Sequence, residues 1–196
     1  MKELLNAHQI DDIYGILQER LSPSRVLHAL GSAHTAVSLA HRWGCNPHDA
    51  LLAGLLHDIA KDELPSVARE RISGHPDWFE VDDEGYPAVW HAILGAIMAL
   101  EEFGASEDVA RAIRLHPTGD AHMTLLDQIL FLADYTEPNR TFEGVQTLRK
   151  LGRENLGEAV RQAILSKTDH VSRKNKPLHP RSQRARVVSE RRPYPS

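Results

Sequence analysis

The run Ala50-Leu51-Leu52-Ala53-Gly54-Leu55-Leu56-His57-Asp58-Ile59-Ala60-Lys61 sets an imidazole and a carboxylate side by side at the end of an apolar, helix-like stretch. No other feature constrains the fold as much. Burying that doublet costs free energy unless something binds both groups, because an ionised carboxylate is rarely buried unpaired. A divalent metal meets that need. His28, His91, His116 and Asp134 stand in similar settings, so the chain reads H…HD…H…H…D. Taken singly, each has a plainer explanation. A lone His on an apolar face is more often a packing or surface residue, and Asp134 alone reads as a surface acid near a helix end. The doublet and the ordered set are what carry the metal reading. Mixed imidazole and carboxylate ligands suit Fe, Mn, Zn or Co rather than Ca or Mg.

Helical periodicity dominates the chain and β-type alternation is nearly absent. Ser22-Pro23 and Asn46-Pro47 are start signals, with a capping side chain followed by Pro at the first helical position. They open a helix carrying His28 that runs to Trp43, and a second ending in His57-Asp58. Further helices are expected over 10–21, 63–71, 87–103 with His91, 106–115, 124–135 with Asp134, 144–151 and 154–171. Residues 73–85, rich in Gly, Pro and Asp, read as a loop. His57-Asp58, His116 and Asp134 fall at or near helix C-terminal ends, and His28 and His91 lie one or two turns inside theirs. An all-α, single-domain bundle can gather such positions at one end of its core, as helical-bundle metal sites do. The expected organisation is an N-terminal helical segment (1–21), a metal-binding core (22–172) and a basic C-terminal segment (173–196). That last segment is expected to lie partly over the site and to be disordered from about Arg191 on.

With 196 residues the chain fits one domain with a substantial core. A net charge of −4 argues against a nucleic-acid coat or a membrane-surface protein, although residues 173–192 are strongly basic. The single Cys45 excludes an internal disulfide and a cysteine-based zinc cluster. No apolar stretch of about 18 residues is present, and the N-terminus lacks a leader pattern, so a cytoplasmic protein is expected. His8, His34, His41, His48, His75, His122 and His170 read as surface or packing residues, and no ligand role is expected for His179. The tryptophans read as packing anchors, with Trp90 beside His91 worth checking as a base-stacking surface.

The pattern formed by His28, His57-Asp58 and Asp134 resembles the HD-domain superfamily of metal-dependent phosphohydrolases. The local wording is similar to one branch, the bacterial YqeK family of symmetrical diadenosine tetraphosphate hydrolases. The segments that carry the resemblance are Arg25-Val26-Leu27-His28, Leu52 to Lys61, His116-Pro117-Thr118-Gly119, Phe131-Leu132-Ala133-Asp134-Tyr135-Thr136-Glu137-Pro138-Asn139-Arg140 and His179 to Arg186. They extend over nearly the whole chain. Two departures stand out. Pro117 replaces a residue with a backbone N–H, and the 73–85 loop is longer and more acidic than usual in that family.

The resemblance implies cleavage of the middle phosphoanhydride to give two ADP. It implies one ion, with Fe first and Mn or Co as substitutes, held by His28, His57, Asp58 and Asp134. Asp58 would then bridge, while His91 and His116 hold a second ion or the phosphates. A metal lowers the pKa of bound water to about 7, and a second ion about 3.5–4 Å away can clamp non-bridging oxygens. From their spacing to the ligands, Arg25, Lys61 and Arg140 are candidate phosphate contacts, with Arg offering two-pronged geometry and Lys a point charge. Asp58, Lys61 and Arg140 are thus the expected catalytic set. His91, His116 and Asp134 join Arg25, Lys61 and Arg140 around the substrate. Lys167 and Asp169 remain undecided at this level. Two alternatives stay open: another HD-type nucleotide phosphohydrolase or phosphodiesterase, and a non-catalytic nucleotide-binding or ribosome-assembly partner. The sequence leaves a homodimer open and gives no strong nucleic-acid signal.

Overall fold

The computed structural model describes residues 7–195. Residues 1–6, on which the absence of a leader was read, Ser196 and the side chain of His8 lie outside the described residues. Ten α-helices and two short 3-10 turns, with no strand, form the regular structure of the described residues. They are α1 (Ala7–Arg20), α2 (Pro23–Trp43), α3 (Pro47–Leu56), α4 (Pro65–Ser73), α5 (Pro87–Glu101), α6 (Glu107–Leu115), α7 (Leu125–Thr136), α8 (Val145–Glu154), α9 (Leu156–Arg173) and α10 (Pro180–Arg191). The all-α expectation is met.

Local chemistry explains the boundaries. Pro opens α2, α3, α4, α5 and α10, where a missing N–H costs nothing. The Asn46, Ser106, Thr124 and Asn155 side chains accept from first-turn N–H groups of α3, α6, α7 and α9. Gly44 stops α2 in the left-handed conformation at φ 73°. The α3 helix is shorter than expected: it closes at Leu56, His57 is its C-cap, and Asp58 begins the following turn.

The α7 helix is the centre of the bundle. Ten of its twelve residues are buried, which a helix achieves only when neighbours cover it all round. It packs against α2, α3, α6, α8 and α9. Its C-terminal end therefore delivers Asp134 into the middle of one end of the core. The α2 and α3 helices cross at Gly54, where their backbones touch, and this crossing brings His28 beside His57.

Three regions depart from the sequence reading. Residues 73–85 are not a plain loop but hold two 3-10 turns, Pro76–Trp78 and Val81–Asp83, and Asp83 is fully buried. The basic segment does not fold over the site: residues 174–181 run to that loop, where His179 Nε2 and Arg181 donate to Asp83. Within residues 191–195, expected to be disordered, Tyr194 and Pro195 make defined contacts. Tyr194 is buried, its hydroxyl donates to Asp120 O, and Gln128 donates to Pro195 O. The reason is steric as well as polar. Gly157 leaves room for the Tyr194 backbone, since a Cβ there would lie 1.8 Å from Tyr194 O.

Candidate metal centre

Six side chains converge at one end of the bundle: His28 from α2, His57 and Asp58 from the end of α3, His91 from α5, His116 from the end of α6 and Asp134 from α7. Two groups have ligand atoms close enough to share an ion: His28, His57 and Asp58, and Asp58, His91 and His116. Asp58 belongs to both. The Nε2 atoms of His28 and His57 are 3.2 Å apart, and His28 Nε2 is 3.1 Å from Asp134 Oδ1. Asp58 Oδ1 lies 3.2 Å from His91 Nε2 and 3.4 Å from His116 Nε2.

The ring orientations follow from the helix ends. His57 Nδ1 donates to Gly54 O at 2.8 Å, and His116 Nδ1 donates to Ile113 O at 2.7 Å. Both partners are last-turn carbonyls, and Pro117 offers no N–H to Ile113 O, whose other contact is a long one of 3.4 Å from His116 N. Both rings therefore turn Nε2 inward. Burial lowers the His116 pKa to about 3, so that ring is neutral and its Nε2 carries a lone pair. This lone pair points at a carboxylate oxygen, and Asp58 Oδ1 is buried without a hydrogen-bond partner. Two electron-rich atoms facing each other in a buried site are repulsive unless a cation lies between or beside them, and Lys61 Nζ, 3.3 Å from Asp58 Oδ1, supplies part of that charge from one side. The donor set thus fits a divalent ion on local grounds.

The carboxylates remain ionised. Burial raises the Asp58 carboxyl, but the neighbouring His57 leads the interactions that more than offset this and hold it far below the usual range. Asp134 is likewise held down against burial by His28, Lys167, His57 and His116. Burial lowers the His28 pKa, yet Asp134 and Glu137 outweigh burial and the Arg140 charge, so the net shift is upward.

Above the cluster opens a cleft of about 560 Å³. Arg25, Lys61, Arg140 and Lys167 all line it. Lys61 Nζ donates to His91 Nε2 at 2.8 Å and lies 3.3 Å from Asp58 Oδ1. Its ammonium supplies the positive charge that an ion would bring to His91. Arg140 donates to Asp134 Oδ1 at 2.8 Å and to its backbone carbonyl at 3.1 Å. Arg25 pairs with Asp62 at 2.7 Å on the rim. Pro117 lines the cleft, and the turn behind it is closed by Gly119 at φ 65°, whose N–H donates to Leu115 O.

The sequence left Lys167 undecided, and the structure brings it into the cleft. Lys167 Nζ donates to His116 O at 3.2 Å, lies 3.9 Å from Asp134 Oδ2, and sits over the Phe131 ring. Nothing local on amphipathic α9 marks it out. Glu137, quoted only as part of a signature segment, bonds to His28 Nδ1. Trp90 is a packing residue, not a base platform: its indole N–H donates to Asp83 O and its ring meets Phe79 edge-on. Asp169 pairs with Arg186 and does not line the cleft.

The chain is similar to several known proteins. The HD domain family model matches residues 25–139. A symmetrical bis(5'-nucleosyl)-tetraphosphatase of Bacillus subtilis (strain 168) is 35% identical over 176 residues, covering 87% of this chain and 91% of that protein. One of Halalkalibacterium halodurans is 36% identical over 170 residues, covering 84% and 88%. A crystal structure from Clostridium acetobutylicum, described as a predicted HD superfamily hydrolase involved in NAD metabolism, superimposes with a TM-score of 0.87. It is 32% identical and covers 96% of this chain and 98% of its own.

Proposed function

This chain belongs to the HD domain family, and on that premise we propose that it hydrolyses dinucleoside tetraphosphates symmetrically, releasing two nucleoside diphosphates from diadenosine tetraphosphate. One observation carries the reading: a buried carboxylate oxygen of Asp58, which accepts no hydrogen bond and lies 3.3 Å from Lys61 Nζ, faces imidazole nitrogens at the floor of a cleft lined by four cationic side chains. Similarity over most of the chain to two proteins bearing that activity in their names supports the substrate.

Bound between His28, His57, Asp58 and Asp134, a divalent ion would supply charge neutralisation at phosphorus and a water with its pKa lowered to about 7. The remaining work falls to the chain. Lys61 and Arg25 stand at the Asp58–Asp62 edge of the cleft, and Arg140 and Lys167 at the Asp134 edge. A polyphosphate spanning both pairs sets its central anhydride over the cluster and its outer phosphates on the cations. Cleavage at the middle follows from that placement. To bind phosphate, Lys61 and Arg140 turn from Asp58 and Asp134, and each exchanges one charge-assisted contact for another. Pro117 presents no N–H to the polyphosphate, so side-chain cations bear more of the recognition there.

Iron is the metal we favour, with Mn or Co as substitutes, on the basis of the imidazole-rich N/O donor set. His91 and His116 are assigned with Asp58 to a second ion. No helix among the described residues is long and apolar enough to cross a membrane, and we place the activity in the cytoplasm. The test is product chromatography on diadenosine tetraphosphate with metal-loaded protein. Two ADP per substrate are expected, with loss of turnover in Asp58→Ala. ATP plus AMP, or no hydrolysis by the loaded protein, would overturn the proposal.

A further inference from the structure

We infer that Glu137 is a positioning residue: its carboxylate holds the His28 ring so that Nε2 faces the metal cluster, and Gly31 keeps α2 open to admit it. This inference rests on the reading of the cluster as a metal centre.

Of the four imidazoles in the cluster, those of His28, His57 and His116 are not oriented in the same way. His57 and His116 sit at helix C-termini and donate to carbonyls of their own last turns. His28 lies inside α2, where the carbonyls of its own turn are engaged in the helix ladder. It has no such partner to use. Its Nδ1 is met instead by Glu137 Oε1, at 3.2 Å, from a residue that follows α7.

Glu137 is built into place from both ends. It is 2% exposed, so its carboxylate is shielded from water. Oε2 accepts from Asn139 N at 2.7 Å and Asn139 Nδ2 at 3.0 Å, and Oε1 faces His28 Nδ1, with Arg140 Nε 3.8 Å away. The Arg149 guanidinium donates to the carbonyls of Thr136, Glu137 and Arg140, at 2.8, 2.6 and 2.9 Å, and so fixes the backbone on both sides of it. Gly31 follows His28 by three positions, on the same helix face. A Cβ at Gly31 would lie 2.6 Å from Glu137 Oε2 and 3.4 Å from its Cδ. A side chain there pushes the carboxylate off the ring. A buried carboxylate on Nδ1 commits that nitrogen to carrying a proton, leaves Nε2 for the ion, and makes the imidazole a stronger donor than a carbonyl partner would.

The test uses the full chain, with variants Glu137→Ala, Glu137→Gln and Gly31→Ala. Metal-free protein is examined by proton NMR for a downfield, slowly exchanging His28 Nδ1–H resonance, assigned by its loss in His28→Gln. It should be present in the wild type, retained in Glu137→Gln, whose amide oxygen still accepts, and absent in Glu137→Ala and Gly31→Ala. Mn²⁺ titration should then show binding weakened about 10- to 100-fold in the last two, the usual cost of losing such a partner. Gly31→Ala removes no polar group, so it carries the test if Glu137→Ala does not fold. A purely structural role would lower the melting temperatures while leaving the resonance and Mn²⁺ affinity of the folded protein unchanged, and would overturn the inference. If the wild type binds no Mn²⁺ at all, the metal reading fails, while the resonance still decides whether Glu137 orients His28.

Discussion

Replacing Gly54 with Ala tests whether the α2–α3 crossing sets the site. In an ordinary helix this change is favourable by about 1 kcal/mol. Here the new Cβ would lie 2.4 Å from Ala33 Cα, 2.8 Å from Ala33 N and 3.0 Å from Ala33 Cβ. Carbon atoms prefer roughly 3.5–4.0 Å, so the helices must part by about 1 Å or more. The two nearest opposing atoms are backbone and the third, Ala33 Cβ, is fixed to it, so no flexible side chain can swing away. Overpacking costs about 1–3 kcal/mol, and a backbone collision belongs at the upper end. Subtracting the propensity gain leaves a net loss of about 2 kcal/mol. For a chain of this size that is a fall in melting temperature of about 4–8 °C. The same displacement carries His57 and Asp58 away from His28, and a misplacement of about 1 Å can cost on the order of 100-fold in turnover. The assay is a thermal melt followed by circular dichroism, with and without chelator, paired with kinetics. Gly15→Ala in α1 is the control, because its Cβ would meet nothing within 4 Å and should raise the melting temperature slightly. If Gly54→Ala melts at or above the wild type, the close crossing does not govern stability. Unchanged turnover would show that it does not govern the site.

Lys61→Ala and Arg140→Ala should retain metal, as measured by elemental analysis, yet lose roughly ten- to a hundredfold in kcat/KM. A charge-assisted bond to phosphate is worth about 1.5–3 kcal/mol. Loss of metal instead would move that residue into the coordination sphere. His116→Ala should bind one ion fewer than the wild type while keeping the first, and a stoichiometry unchanged at two would remove His116 from the ligands. Acid sensitivity should follow Asp83. Burial raises its carboxyl, but His179, the Glu80 N–H, Arg181 and Arg114 outweigh this and hold it well below the usual range. The folded state therefore binds fewer protons than the unfolded chain, whose carboxyl titrates near about 3.9. The stability Asp83 contributes is present above that pH and is lost as the pH falls below it. Asp83→Asn should be less stable at pH 7 and lose less stability between pH 5 and 3. Equal urea midpoint shifts in both proteins over that interval would refute the assignment.

Much of this molecule is decided locally. Asn46-Pro47, Ser106 and Thr124 mark helix starts because a cap acts within one turn of itself, whereas Ser22-Pro23 marks one through Pro23, since the Ser22 side chain makes no capping bond. The His57-Asp58 doublet marks a candidate ligand pair because its apolar flanks are contiguous in the chain. Other features depend on residues far apart in sequence. Which nitrogen of His28 faces inward is decided by Glu137, 109 positions away. Lys167 joins the cleft only because α9 packs on α7. The basic tail turns to Asp83 rather than to the site because three donors, His179, Arg181 and Arg114, find one buried carboxylate there. Tyr194 is seated because Gly157 leaves room for its backbone. Helix period and capping are properties of neighbouring residues, and the sequence determines them. Partner choice for a buried polar group depends on which helices pack together, and only the tertiary structure makes that choice.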